Sequence, residues 1–182
     1  YRQDFGRLNA DKDSYGVPRS KSIQTTPAHQ LALAAVYYSP LQYMYWYDKP
    51  SDSQDEPELK FFDDIYTTWD DTKVLQGEIG QFITIARRKG EEWFIGSITN
   101  NEARALPVSL DFLPEGKNYV AEIYTDGERS IKTRTKVKCS RYRVNSMTKL
   151  NFELKASGGS AVRLIPEKDV NKKLGNYKKQ KL

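Results

Sequence analysis

From Lys73 onward the chain alternates apolar and polar residues with a period of two, in short runs broken by turn residues. That pattern restricts it to a mainly β architecture with one face of each strand in a core and the other in water. The runs fall near Lys73 to Glu78, Gln81 to Arg88, Glu92 to Thr99, Leu106 to Phe112, Tyr119 to Thr125, Ile131 to Cys139, Lys149 to Lys155 and Ser160 to Ile165. Between them stand Arg88-Lys89-Gly90-Glu91, Pro114-Glu115-Gly116, Asp126-Gly127 and Gly158-Gly159, turn sequences that join neighbouring strands by short connections. About eight short strands with tight turns form an antiparallel β-sandwich or barrel. In Ile131, Thr133, Thr135, Val137 and Cys139 against Lys132, Arg134, Lys136 and Lys138 the alternation is almost unbroken, which puts Cys139 on the core face.

The first part of the chain reads differently. Residues 1–26 are polar, hold Gly6, Gly16 and Pro18, and keep neither helical nor strand period, so they read as loop. Thr26-Pro27 is a helix start, since the threonine hydroxyl caps and proline at the first helical position loses only an orphan N–H. The helix runs to Tyr38, where Ser39-Pro40 ends it. Beyond its first turn it has no polar face, so it requires cover on several sides. A sandwich covers only one, and part of the environment of this helix is expected to lie outside the chain. A second helix fits 57–66, with Leu59, Phe62, Ile65 and Tyr66 as its apolar stripe.

Of 182 residues, 38% are apolar, enough for one core and too many for a disordered chain. The longest run lacking a charge, 23–47, is broken by Pro27, His29, Gln30 and Pro40, so no membrane insertion is expected. The absence of an initiating Met and of a signal core makes Tyr1 read as a processed or truncated start. The net charge of +5 is segregated. Residues 48–78 hold ten acidic groups against three lysines, 129–143 hold seven basic groups and no acid, and the lysine-rich end, 166–182, reads as a disordered tail.

Candidate chemistry is sparse. Glycoside hydrolysis needs two carboxyl groups ~5 to 9.5 Å apart, yet Asp63-Asp64 and Asp70-Asp71 sit where capping and solvation explain them. His29 is the only histidine and lies in the first turn of an apolar helix, which favours hydrogen-bonded packing over catalysis. No glycine-rich phosphate loop and no metal-spaced cluster is present. The aromatic run Tyr37, Tyr38, Tyr43, Tyr45, Trp46, Tyr47 has two readings, packing or a sugar-stacking subsite, with Tyr45 and Trp46 as rim candidates. Trp69 and Trp93 read as core. The basic face Lys132, Arg134, Lys136, Lys138 lacks interleaved rings, so no nucleic acid partner is expected.

The stretches Thr25-Thr26-Pro27-Ala28-His29-Gln30-Leu31-Ala32-Leu33, Tyr38-Ser39-Pro40-Leu41-Gln42, Trp69-Asp70-Asp71-Thr72-Lys73-Val74-Leu75, Ile85-Ala86-Arg87-Arg88-Lys89-Gly90 with Trp93, Ala121-Glu122-Ile123-Tyr124 with Asp126-Gly127, and Gly158-Gly159 resemble, in this order, the C-terminal third of glycoside hydrolase family 97. The resemblance covers about 22–165. It implies an N-terminal sandwich, a central (β/α)8 barrel and a C-terminal sandwich, so that 1–71 would be the last loop and helices of a truncated barrel and 72–165 the C-terminal β-sandwich. It further implies an exo-acting α-glucosidase or α-galactosidase that hydrolyses oligosaccharides, needs calcium, and is periplasmic or secreted. Its catalytic and calcium-binding carboxylates would lie upstream, in the missing N-terminal and barrel domains, leaving this chain with no catalytic residue and no metal. Asp4 and Arg7, following a late barrel strand, would edge the cleft. The competing reading is an autonomous, non-catalytic carbohydrate-binding β-sandwich that uses the exposed aromatics.

Overall fold

The computed structural model describes residues 25–42, 56–127, 135–168 and 174–177. Helix α1 spans Pro27–Val36, a 3-10 turn Pro57–Leu59, and helix α2 Lys60–Asp64. The strands are β1 Asp71–Glu78, β2 Phe82–Lys89, β3 Glu92–Thr99, β4 Arg104–Ser109, β5 Tyr119–Asp126, β6 Val137–Val144, β7 Lys149–Leu154 and β8 Gly159–Pro166. Six of them form one sheet in the order β1-β2-β3-β8-β5-β6, and β4 and β7 form a second. Every pairing within the two sheets is antiparallel.

The small sheet packs on one face of the large one. Leu106 and Val108 of β4 and Leu150, Phe152 and Leu154 of β7 meet Ala86, Ile95, Ala121, Ile123, Val162 and Leu164, the inward residues of alternating positions on β2, β3, β5 and β8. The other face of the large sheet carries α1 and the 56–69 segment. There Leu31, Ala32, Ala34 and Ala35 pack with Phe61, Phe94, Tyr124, Val137 and Ala161. The molecule is thus a lopsided sandwich with a helical third layer.

Two glycines let α1 come that close. A Cβ on Gly96 would stand 2.5 Å from the Ala32 carbonyl oxygen, and one on Gly159 would stand 2.5 Å from the Cα of His29. Both obstacles are main-chain atoms, so glycine is required at each point of the crossing. Arg87, 2% exposed, then closes the far end of the helix. Its guanidinium donates to the carbonyls of Ala35 (2.6 Å) and Val36 (3.0 Å) and to the Thr72 hydroxyl (3.1 Å), satisfying acceptors that a helix end leaves open.

The buried side of α1 finds cover on β3 and β8 of this chain. The helix also stops at Val36. Tyr37 takes an extended backbone with its N–H on the Leu33 carbonyl, and Tyr37 and Tyr38 project into solvent. In the second helical segment a 3-10 turn precedes one α turn. Its tighter winding rotates the buried position to Phe61, and Tyr66, read as part of the apolar stripe, is 40% exposed.

Two strands are displaced from their sequence positions. β4 begins at Arg104 and ends at Ser109, because Leu110 to Leu113 closes a turn through the Leu113 N–H on the Leu110 carbonyl. β6 runs over Val137–Val144, after Lys136 with φ 55°, a left-handed residue that starts the strand late. Residues 131–134 of the expected strand lie outside the described residues. Cys139 is exposed, not in the core, because β6 is the edge of the large sheet on the helical side.

Candidate functional site

Across the helical face of the large sheet, pairing aligns Arg87 of β2, Phe94 of β3, Arg163 of β8, Glu122 of β5 and Arg141 of β6 in a single row. Arg163 is the centre of the charges there. It lies 2.5 Å from Asp64 of α2, 2.8 Å from Glu92 and 3.9 Å from Glu122, with its guanidinium 5.8 Å from the centre of the Phe94 ring. Arg141 meets Glu122 at 3.2 Å. Burial on its own would lower the Arg163 pKa, but Glu92, Asp64 and Glu122 outweigh it and raise it. These three carboxylates converge but each faces a fixed cation. The cluster ties α2 to the sheet and offers no free acid–base pair.

The other acidic residues singled out in the sequence behave as caps and surface ions. Asp70 accepts from the Gly90 N–H (2.8 Å) and Lys89 (3.1 Å), and Asp64 also pairs with Lys60 at 2.7 Å. The Gly90 and Lys89 contacts hold Asp70 below the ordinary carboxylate range.

His29 has the packing role. Its backbone N–H donates to the capping Thr26 hydroxyl at 3.2 Å, and Nδ1 lies 3.1 Å from the Gly158 carbonyl. Asp126 stands behind the same loop and accepts from the N–H groups of Lys155 (3.0 Å) and Gly159 (3.2 Å). Burial lowers the histidine pKa and raises that of Asp126. The pair fastens the start of α1 to the Gly158-Gly159 turn. Trp93 packs on Phe112 at 4.7 Å as a core ring, and Trp69 packs on Phe94 at 5.5 Å, half-buried at the edge of the helical-side core.

Glu58, fully buried, was not visible as special in the sequence. Its Oε1 accepts from the Thr135 hydroxyl, while Oε2 has no hydrogen-bond partner. Burial raises its pKa above 4.5. The folded protein therefore holds this proton more tightly than the unfolded chain, and the resulting stability is fully present below pH 4.5 and lost as pH rises through the higher folded value. Glu58→Gln keeps the acceptor for Thr135 and removes the titration. The variant should melt above the wild type at pH 8 and with it at pH 4, and a lower melting temperature at pH 8 would contradict this account.

Asp4, Arg7, Tyr45 and Trp46, the rim candidates, lie outside the described residues. Among the described residues no group of three or more His, Cys, Asp or Glu side chains is placed to hold a metal. No described helix is long and apolar enough to cross a membrane.

The fold is a lopsided sandwich with a seated helix, its convergent carboxylates paired with arginine. Its kind is defined by likeness to known proteins. Residues 68–165 match the family model described as glycosyl-hydrolase 97 C-terminal, oligomerisation, and the chain belongs to glycoside hydrolase family 97. It is 36% identical over 158 residues to a retaining alpha-galactosidase of Bacteroides thetaiotaomicron, covering 86% of this chain and 23% of that protein. The structure of a family 97 enzyme from Pseudoalteromonas sp. strain K8 in complex with acarbose superposes with a TM-score of 0.72 at 36% identity, over 80% of this chain and 23% of that one. A beta-arabinopyranosidase shares the fold alone, with a TM-score of 0.62 at 24% identity. The chain spans about a quarter of the length of the relatives it matches, and corresponds to their C-terminal part.

Proposed function

We propose that this chain is the C-terminal part of an exo-acting α-glycosidase, an α-glucosidase or α-galactosidase, in which the sandwich braces a catalytic barrel and takes part in self-association. The observation that carries the reading is the family match over 68–165 on a domain whose converging carboxylates are all engaged by arginine. On this reading residues 1–71 close the barrel, and the hydrolytic carboxylates and a calcium site belong to the preceding part of the protein. Oligosaccharides reach the chain only through that part. A periplasmic or secreted location and a role in carbohydrate metabolism follow from the kind of substrate. Self-association is supported by the oligomerisation role in the family description.

The test is an assay of the complete protein against aryl α-galactoside and aryl α-glucoside. Release of the single terminal sugar from one of them is the expected result. No hydrolysis of either by folded protein would overturn the proposal.

A further inference from the structure

The lysine-rich end of the chain, which reads from its composition as a disordered tail, returns to the fold. After β8 the chain leaves through Glu167, whose N–H donates to the Asn118 carbonyl at 2.9 Å and whose carboxylate lies 2.8 Å from the Arg143 guanidinium. It comes back to the same arginine at residues 174–177. The Arg143 N–H donates to the Gly175 carbonyl and the Arg143 carbonyl accepts from the Tyr177 N–H, both at 3.0 Å, on either side of a parallel bridge to Asn176. This is the hydrogen-bond pattern of a parallel ladder, laid on β6, the edge of the six-stranded sheet.

Tyr177 carries the segment across the open seam between the two sheets. Its ring meets Tyr142 of β6 edge-on at 5.4 Å and packs on the sandwich core, while its hydroxyl accepts from the Asn151 N–H of β7 at 3.1 Å. Asn151 stands opposite Pro107 of β4, whose carbonyl accepts from Gln76 at 3.1 Å, so the Asn151 N–H is satisfied from outside its own sheet. Gly175 and Asn176 are exposed, and nothing stands within 4 Å of where a side chain on Gly175 would begin. The seam therefore holds main chain and one ring. An exposed sheet edge takes up an extended peptide in this way, with backbone bonds supplying affinity and a pocket for one side chain supplying selection. The segment also lies beyond residues 68–165, the part that the family model matches.

We propose that the seam between β6 and β7 is a peptide-binding site that takes an extended segment by strand addition with a tyrosine as its anchor, and that this chain fills it with its own residues 174–177. Arg143 gathers both ends of the tail, its side chain holding Glu167 and its main chain holding Gly175 and Tyr177. The tether keeps the segment at high effective concentration, so a few bonds are enough to keep the edge covered. The site stands independently of the glycosidase reading.

The test is fluorescence anisotropy of a labelled synthetic peptide of residues 169–182 against three forms of the complete protein: intact, ending at Lys168, and intact with Tyr177→Ala. Saturable binding to the last two is expected, at least about 10-fold tighter than to the intact protein, whose site is filled. A Tyr177→Ala peptide should bind roughly 20-fold more weakly than the parent. A Tyr177→Phe peptide, which lacks only the acceptor for Asn151, should lose about 5-fold. An Asn176→Ala peptide should bind as the parent does. Absence of binding to the opened forms, folded by circular dichroism, would overturn the proposal. So would a Tyr177→Ala peptide that binds as well as the parent, since lysine charge would then account for the attraction, and so would equal affinity for intact and opened protein, which would place the peptide elsewhere.

Discussion

Arg163→Met is expected to destabilise the fold by about 3 kcal/mol, the lower end of the cost of breaking a buried ion pair. The substitution keeps most of the aliphatic stem that packs beside Phe94 and removes only the charge and its donors. Asp64, Glu92 and Glu122, with 15%, 22% and 10% of their side chains exposed, would then face one another without the central cation. Three largely buried carboxylates converging on one point repel. Arg163→Lys should recover only part of the loss, because an ammonium cannot reproduce the two bonds, 2.8 and 3.2 Å, that the guanidinium makes to Glu92. Adding Asp64→Asn to Arg163→Met should return stability, a positive coupling in a double-mutant cycle read by urea denaturation. Strict additivity of the two changes would show that the cluster is a set of independent surface pairs.

The second large effect is steric. Gly159→Val places a Cβ 2.5 Å from the Cα of His29 and 2.9 Å from its N, atoms of a helix that cannot turn aside. Either α1 lifts or β8 shifts, and both break the bonds from Gly159 to Asp126 and from His29 to Gly158. The expected cost is about 3 kcal/mol or more, the upper range for overpacking a well-filled interior. Gly96→Val should act similarly through the Ala32 carbonyl, also 2.5 Å away. Gly80→Ala is the contrast, since nothing stands within 4 Å of its Cβ and only the φ of +77° resists. It should cost about 1 kcal/mol. Hydrogen exchange over Pro27–Val36 gives the decisive readout: faster exchange of the α1 amides in Gly159→Val but not in Gly80→Ala. Equal protection in both would mean that α1 is not held by its approach to the two glycines.

The strands were legible because a half-buried antiparallel strand writes its two faces into alternate residues, as at Leu150, Phe152 and Leu154 of β7. Strand order was not. Nothing in the alternation says that β8 slots between β3 and β5, which is a matter of long-range pairing. β6 was read too early because the alternation from Ile131 to Cys139 runs through Lys136 without a break, whereas the left-handed backbone at Lys136 sets the start of the described strand.

The helical layer was half legible. The cap at Thr26 and the apolar composition of α1 were clear, but the glycines that receive it had another reading. Gly158-Gly159 looked like a turn, and Gly96 was one small residue inside an apolar strand. A glycine within a strand is the sign of a close approach, and two of them under one apolar helix were the available signal. Arg163 carried a similar one: a single cation amid Ala161, Val162, Leu164 and Ile165 requires partners. Those partners sit on α2, β3 and β5, separated in sequence and united only by the fold.

The central claim is that this chain supports a glycosidase and does not itself carry the chemistry. The most direct measurement is hydrolysis of aryl α-galactoside and aryl α-glucoside by the 182-residue chain alone, folded by circular dichroism, beside an equimolar amount of the complete protein. Turnover by the complete protein with none by the chain is the predicted result. Comparable turnover by the chain alone would contradict the account.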